Sequence, residues 1–484
     1  MHKRFVVNIV SRVVLIVCLA MMLPLGWALH DDSHSREATA FIFTIVLGLV
    51  IGSSFLWTFR LKKEDLKKIS AKDCLAIVGF SWVFLSLLGA LPLFLSGVAP
   101  SYADGFFEIV SGFTTTGATI FKDVEILPRG ILFWRSLTHW LGGLGVVVLY
   151  VALLPLLGQG TFQLYKAEAS GFAMEKVEPR LKETSRILWG IYSLITIATI
   201  ALLMLGKMPV FDAICHAFGA VSTGGFSTKN VGMMAYSPYI QWVIVMAMCL
   251  GAVSFILHYE ALRGNFKVFL KNEEFRFFTL VILGFVAIYS LVLHKASPTL
   301  SPVRDAAFQV VSIITCTGYV SANYDLWPGI LKFGLLILMF MGGCAGSTSG
   351  GFKSFRCLLT TRILRQSVVQ TVFPNAILPV KLNGKTVSDN FITAILSYFV
   401  LLVGLIVVGT AALIVFENCD LVTALSACMT CLSNCGPGLE KVGAVANFAW
   451  FSIPSKWILS FIMLAGRLEV YALLILFVPS TWKK

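Results

Sequence analysis

The chain has 484 residues, 57% of them hydrophobic and only 13% charged, with a mean hydropathy of +0.84. Soluble domains run near 25% charged, and disordered chains are poor in apolar residues, so this composition excludes both an ordinary soluble enzyme and disorder. The formal net charge is +13, from 38 Lys and Arg against 25 Asp and Glu. On so small a polar fraction that excess is not a sign of nucleic-acid binding, and its meaning depends on where the basic residues fall.

A membrane-crossing helix needs about 20 mainly apolar residues. Ten runs qualify, near 5–29, 39–59, 74–96, 131–157, 187–206, 239–258, 277–294, 328–350, 391–416 and 456–479. The first is long, lacks a small-residue cleavage site and leads at once into the second, so it reads as a retained helix rather than a signal peptide. Four shorter apolar stretches lie between spans, near 104–116, 211–223, 304–317 and 420–434. They are too short to cross a bilayer and read as re-entrant segments.

Alternating the ten spans sorts the charges into two sets of ends. One set (1–12, 60–72, 158–187, 259–276, 352–390 and 483–484) holds 26 of the Lys and Arg, and the opposite set holds 10. The positive-inside rule makes the basic side cytoplasmic, with both termini there and all four short stretches opening outward. The eleven cysteines mostly fall within apolar runs, as at Cys18, Cys249 and Cys428, in no spaced framework. Structural disulfides and a zinc site are therefore not expected.

Each short stretch ends in a small polar pair followed by glycine. The chain reads Thr115-Thr116-Gly117, Ser222-Thr223-Gly224, Cys316-Thr317-Gly318 and Asn434-Cys435-Gly436. Asp104, Asp212, Asp305 and Asp420 stand 13, 12, 13 and 16 residues before those glycines. Asp is a good N-cap, so each unit reads as span, Asp-capped short helix, glycine loop, span. Small residues also help helices pack in lipid, but packing does not explain four copies at the same place in four units. The expected fold is an all-α polytopic membrane protein. It has four span–pore-helix–loop–span repeats around a central pore (73–180, 181–270, 271–380 and 381–484), plus an extra N-terminal pair of spans (1–72).

Irregular backbone at membrane depth is tolerated only where it lines a protein-buried or watery cavity. Four converging glycine loops would offer a ring of carbonyls able to replace the water around a cation, with the partial negative ends of four short helices aimed at the same point. A monovalent cation path follows; the selected ion does not. The eighth span is broken by Gly342, Gly343, Gly346, Gly350 and Gly351 together with Ser347, Thr348 and Ser349. Five glycines in ten residues do not favour a helix, at about 1 kcal/mol each relative to Ala, and a loop crossing the path is expected. The stretch is not a phosphate-binding loop, because Phe352 separates Gly351 from Lys353-Ser354. Arg467, inside the last span, must face the protein interior or water. It is expected to meet the carbonyls of that loop or repel cations, the alternatives being a pair with Glu469 or snorkelling to the cytoplasmic face. Arg135, His139 and His216 are read as packing or interface residues.

The four repeats, the segment Gly342-Gly343-Cys344-Ala345-Gly346-Ser347-Thr348 and the segment Gly466-Arg467-Leu468-Glu469-Val470 resemble bacterial TrkH-type members of the Trk/Ktr/HKT superfamily of potassium transporters, over essentially the whole chain. The resemblance implies a selectivity filter built from the twelve residues of the four loops, and a gate formed by residues 342–351 with Arg467. It implies potassium as the transported ion, with rubidium accepted, and no organic cofactor on this chain. It implies a homodimer in the bacterial cytoplasmic membrane, working with a cytosolic TrkA-like regulatory subunit that binds NAD, ATP or ADP. The basic segments 60–72 and 352–390 are candidate docking surfaces for that subunit, with lipid headgroups as an equally simple partner. The related bacterial proteins tend to carry Gly where Ser349 stands. In some eukaryotic members Ser replaces the first filter glycine and accompanies sodium preference; Gly117 argues for potassium. A sodium- or proton-coupled symporter of the same fold is the alternative. A polytopic membrane enzyme is a weak one, since it would need clustered His, Asp or Glu within the spans.

Overall fold

The computed structural model describes residues 2–32, 35–61, 71–153, 181–296, 301–376 and 378–479. Most of the basic segments 60–72 and 158–187, and the terminal 483–484, lie outside the described residues.

The N-terminal pair consists of α1 (Lys3–Ala20), continued by α2 (Met22–Asp31), and α3 (Arg36–Thr58). Both arms pack on α4 (Ala71–Leu95), the first span of the first repeat. Four units follow. The first is α4, α5 (Tyr102–Phe113) and α6 (Arg129–Leu153). The second is α7 (Leu181–Leu205), α8 (Val210–Val221) and α9 (Pro238–Ala252), with α10 (Phe255–Leu262) after a break. The third is α11 (Glu273–Ala296), α12 (Pro302–Ile314) and α13 (Gly329–Met341), continued after a loop by α14 (Ser354–Val372). The fourth is α15 (Asp389–Glu417), α16 (Leu421–Ser433) and α17 (Ile453–Arg467), ending in α18 (Tyr471–Leu474). Between α14 and α15 a small antiparallel hairpin pairs Lys381 with Thr386 and Leu382 with Lys385.

The chain thus forms the expected all-α arrangement of four repeats. Among the described residues six helices, taking α1 and α2 as one, are long and apolar enough to cross a membrane, and the pair α9 and α10, bent by 100°, makes a seventh when the two are counted as one span. Two spans that read as continuous in sequence are not. The run 239–258 breaks at Val253–Ser254, and the run 456–479 breaks after Arg467, where Glu469 and Val470 take left-handed φ of 54° and 59°. Hydropathy registers apolar length but not where the backbone turns.

Each span after a loop packs against the next short helix. α6 lies on α8, α9 on α12, α13 on α16, and α17 returns to α5, so the four units close into a ring. The short helices α5, α8, α12 and α16 are its inner members and are largely buried.

The expected Asp caps need correction. Only Asp420 is an N-cap, its Oδ2 accepting from the Thr423 amide at 2.9 Å. α5 is capped by Ser101, and α8 and α12 begin after Pro209 and Ser301. Asp104, Asp212 and Asp305 sit within the first turn, where a carboxylate still favours the helix dipole while remaining available for other partners. Asp104 holds Lys456 Nζ of α17 at 2.6 Å, and Asp212 accepts from the Thr228 hydroxyl at 2.7 Å.

Candidate functional site

All four short helices end in the same way. The residue after the helical turn is left-handed: Thr115, Thr223, Cys316 and Asn434 have φ of 52°, 56°, 54° and 54°. Its amide bonds three residues back, and the next amide bonds five back: Thr116 to Ser111, Gly224 to Gly219, Thr317 to Ser312 and Cys435 to Thr430, at 2.7–2.9 Å. This is a Schellman ending, whose left-handed position is usually glycine. Two β-branched threonines there store backbone strain of about 1–3 kcal/mol each, the kind of strain that collects at functional sites.

The residue two further on is a glycine with positive φ in every loop: Gly117 (85°), Gly225 (81°), Gly318 (78°) and Gly436 (93°). These glycines interlock. A Cβ on Gly117 would collide with the Gly224 carbonyl oxygen, one on Gly225 with that of Thr317, and one on Gly318 with that of Cys435. A Cβ on Gly436 would lie 2.7 Å from the Thr116 carbonyl oxygen. Each loop therefore presents its middle carbonyl to the glycine of the loop before it, and the fourth closes on the first.

This register corrects the second loop. Ser222 does not join the ring; it follows α8 in right-handed backbone (φ −78°, ψ −8°), as Thr114 and Thr315 follow α5 and α12. The ring positions are Thr223, Gly224 and Gly225, so Gly224 occupies the middle position and Gly225 was missed. The other nine loop residues fall where the sequence placed them. Asn434 ties the fourth loop to the first, its Nδ2 donating to Thr116 Oγ1 and to the Met463 carbonyl, both at 3.0 Å.

On one side of the ring the four glycines line the floor of an open cavity, whose wall includes Asn230, Asn447 and Lys122. On the other side lies the segment between α13 and α14. Gly342, Gly346 and Gly351 have φ of 73°, 68° and 77° there, which only glycine adopts readily. Thr348 is its anchor. Its amide donates to the Gly251 carbonyl at 3.2 Å, and its hydroxyl lies 3.0 Å from the carbonyls of Val221 and Gly251. A Cβ on Gly350 would collide with the Ser433 carbonyl oxygen. The Gly343 amide donates to Ser349 Oγ at 2.9 Å, Ser347 Oγ donates to the Cys344 carbonyl, and Lys353 Nζ donates to the Ser349 carbonyl. The loop thus touches the ends of the second and fourth short helices, directly beside the ring.

Arg467 meets this loop. Its Nη1 donates to the Thr348 carbonyl at 2.7 Å and its Nη2 to the Gly142 carbonyl of α6 at 3.3 Å. Glu469 is held by Arg356 at 2.8 Å. Arg135 pairs with fully buried Glu108 at 2.7 Å, and His216 lies 2.7 Å from the Asp212 carbonyl and 3.1 Å from Ser227 Oγ.

Residues 34–484 match the family model described as TrkH, cation transport protein. The chain belongs to the TrkH family. It is 38% identical over 494 residues to the Trk system potassium uptake protein TrkH of Salmonella typhimurium, and equally to that of Escherichia coli, with all of both chains covered in each case. The crystal structure of the potassium transporter TrkH from Vibrio parahaemolyticus covers all of both chains with a TM-score of 0.89 and 34% identity. The four-unit arrangement described above is consistent with the fold of that transporter.

Proposed function

We propose that this chain takes up potassium across the cytoplasmic membrane, with the interlocked ring as its selectivity filter. The observation that carries the reading is the ring itself: four carbonyls, of Thr116, Gly224, Thr317 and Cys435, each locked against the glycine of the preceding loop. Carbonyls so placed replace an ion's hydration shell, and their locking holds the spacing on which discrimination depends. The relatives named as potassium uptake proteins supply the ion. Rubidium is accepted as well.

Residues 342–351 act as the gate and Arg467 as its latch, because the loop lies across the helix ends beside the ring and Arg467 bonds its Thr348 carbonyl. Flow inward is favoured by about 2.3 kcal/mol per charge per 100 mV of membrane potential. A cytosolic TrkA-like subunit binding NAD, ATP or ADP opens or closes the loop through α14, which begins just after the gate and lies within the basic segment 352–390. The protein works as a homodimer with both termini cytoplasmic. Expression in bacteria lacking their own potassium uptake tests the reading. Growth at low external potassium is expected from this chain and not from its Gly225→Ala variant; failure of the unaltered chain to restore growth, with its partner subunit present, refutes it.

A further inference from the structure

The middle position of the second loop is built unlike those of the first and third. In those, Thr116 and Thr317 pair hydroxyl to hydroxyl, at 2.7 Å, with the threonines that end the preceding helices, Thr114 and Thr315. The second loop has Gly224 in that place and no side chain to brace against Ser222.

The space is filled from another repeat. A Cβ on Gly224 would collide with His139 Nδ1 and lie 2.5 Å from its Cγ and 2.8 Å from its Cε1. His139 belongs to α6 of the first repeat and is fully buried. Its ring stacks on Phe226, with centroids 4.1 Å apart and planes 14° apart, and its Nδ1 accepts from the Phe226 amide at 3.5 Å. One turn earlier on the same face of α6, the Arg135 guanidinium lies 4.1 Å from the same Phe226 ring. Arg135 is itself fixed by Glu108 at 2.7 Å and Thr119 at 3.2 Å. The residue immediately after Gly225 is therefore clamped by two side chains of the first repeat, and Gly224 lies flat against one of them.

We propose that His139 is the positioning residue of the second filter loop, an imidazole lent by the first repeat that takes the place of the hydroxyl brace and fixes the Gly224 carbonyl, and with it the discrimination between potassium and sodium. His139 does not touch the ion; it acts through Gly224 and Phe226. Glycine at position 224 and histidine at 139 are then one unit: a side chain at 224 needs the imidazole gone, and loss of the imidazole needs a side chain at 224.

The inference rests on the reading of the ring as the filter, and one experiment separates the two. The full-length protein is reconstituted in proteoliposomes and its potassium-to-sodium permeability ratio is measured. An unaltered protein that does not discriminate refutes the filter reading whatever His139 does. Given discrimination, His139→Ala and Gly224→Ser are each expected to lower the ratio about tenfold or more, while eluting as monodisperse protein. The combined variant, which rebuilds a hydroxyl pair with Ser222, is expected to regain most of the ratio, a recovery that a merely structural histidine would not give. A His139→Ala protein with the unaltered ratio overturns the proposal. So does a combined variant no better than Gly224→Ser alone, a comparison that holds even where His139→Ala does not fold.

Discussion

Replacing Arg467 with alanine probes the proposed gate without altering any residue of the ring. The guanidinium joins three parts of the molecule: its own α17 in the fourth repeat, the Thr348 carbonyl of the third-repeat loop at 2.7 Å, and the Gly142 carbonyl of the first repeat at 3.3 Å. A hydrogen bond from a charged donor contributes about 1.5–3 kcal/mol. If the bond to Thr348 is made only while the loop crosses the path, its loss shifts the balance toward the released loop by that amount, or roughly ten- to a hundredfold at about 1.4 kcal/mol per factor of ten. Removing a fixed positive charge beside a cation path acts in the same direction. Rubidium uptake into proteoliposomes, without any partner subunit, is expected to rise about tenfold or more for Arg467→Ala, with Arg467→Lys between the two because it keeps the charge but not the fork that reaches two carbonyls. Uptake by Arg467→Ala equal to that of the unaltered protein would refute the reasoning.

The interlocked glycines make a graded prediction. Gly225→Ala, whose Cβ collides with the Thr317 carbonyl oxygen, is expected to abolish potassium flux, whereas Gly436→Ala, with 2.7 Å to the Thr116 carbonyl oxygen, retains more; equal residual fluxes would contradict the ring geometry. Gly350→Ala forces the loop away from the Ser433 carbonyl, so its basal rubidium uptake should exceed that of the unaltered protein. Lys456→Met leaves the buried Asp104 without its cationic partner, at a cost of about 3–5 kcal/mol, and should lower the thermal midpoint measured by size-exclusion chromatography of heated samples. Adding Asp104→Asn should recover part of that loss.

Much of this architecture is written in hydropathy and spacing. The four short helices fall within three residues of the apolar stretches that announced them, because a run too short to span is as legible as one long enough. The Gly-rich break at 342–351 was legible for a similar reason, since a cluster of glycines opposes a helix on local grounds alone. The breaks after Ala252 and Arg467 were not, because Val253-Ser254 and Leu468-Glu469-Val470 hold no Gly or Pro and only the tertiary structure turns them. The second loop was misread by one residue, although a signal was present. Measured to Gly225 instead of Gly224, Asp212 stands 13 residues away, as Asp104 does from Gly117 and Asp305 from Gly318. Matching the Ser-Thr pair to Thr-Thr by chemistry overrode that spacing. His139 was beyond sequence reasoning altogether, since its partner Gly224 lies 85 residues away in another repeat and has no side chain to suggest a contact.

Selection of potassium is proposed to lie in the four locked carbonyls. Its most direct test is the reversal potential across proteoliposomes holding the reconstituted protein between potassium and sodium solutions, with rubidium as a third ion and with and without the regulatory subunit. A potential close to the potassium equilibrium value is expected, with rubidium following potassium and the same selectivity whether or not the subunit changes the size of the flux. Equal permeation of sodium and potassium would contradict it.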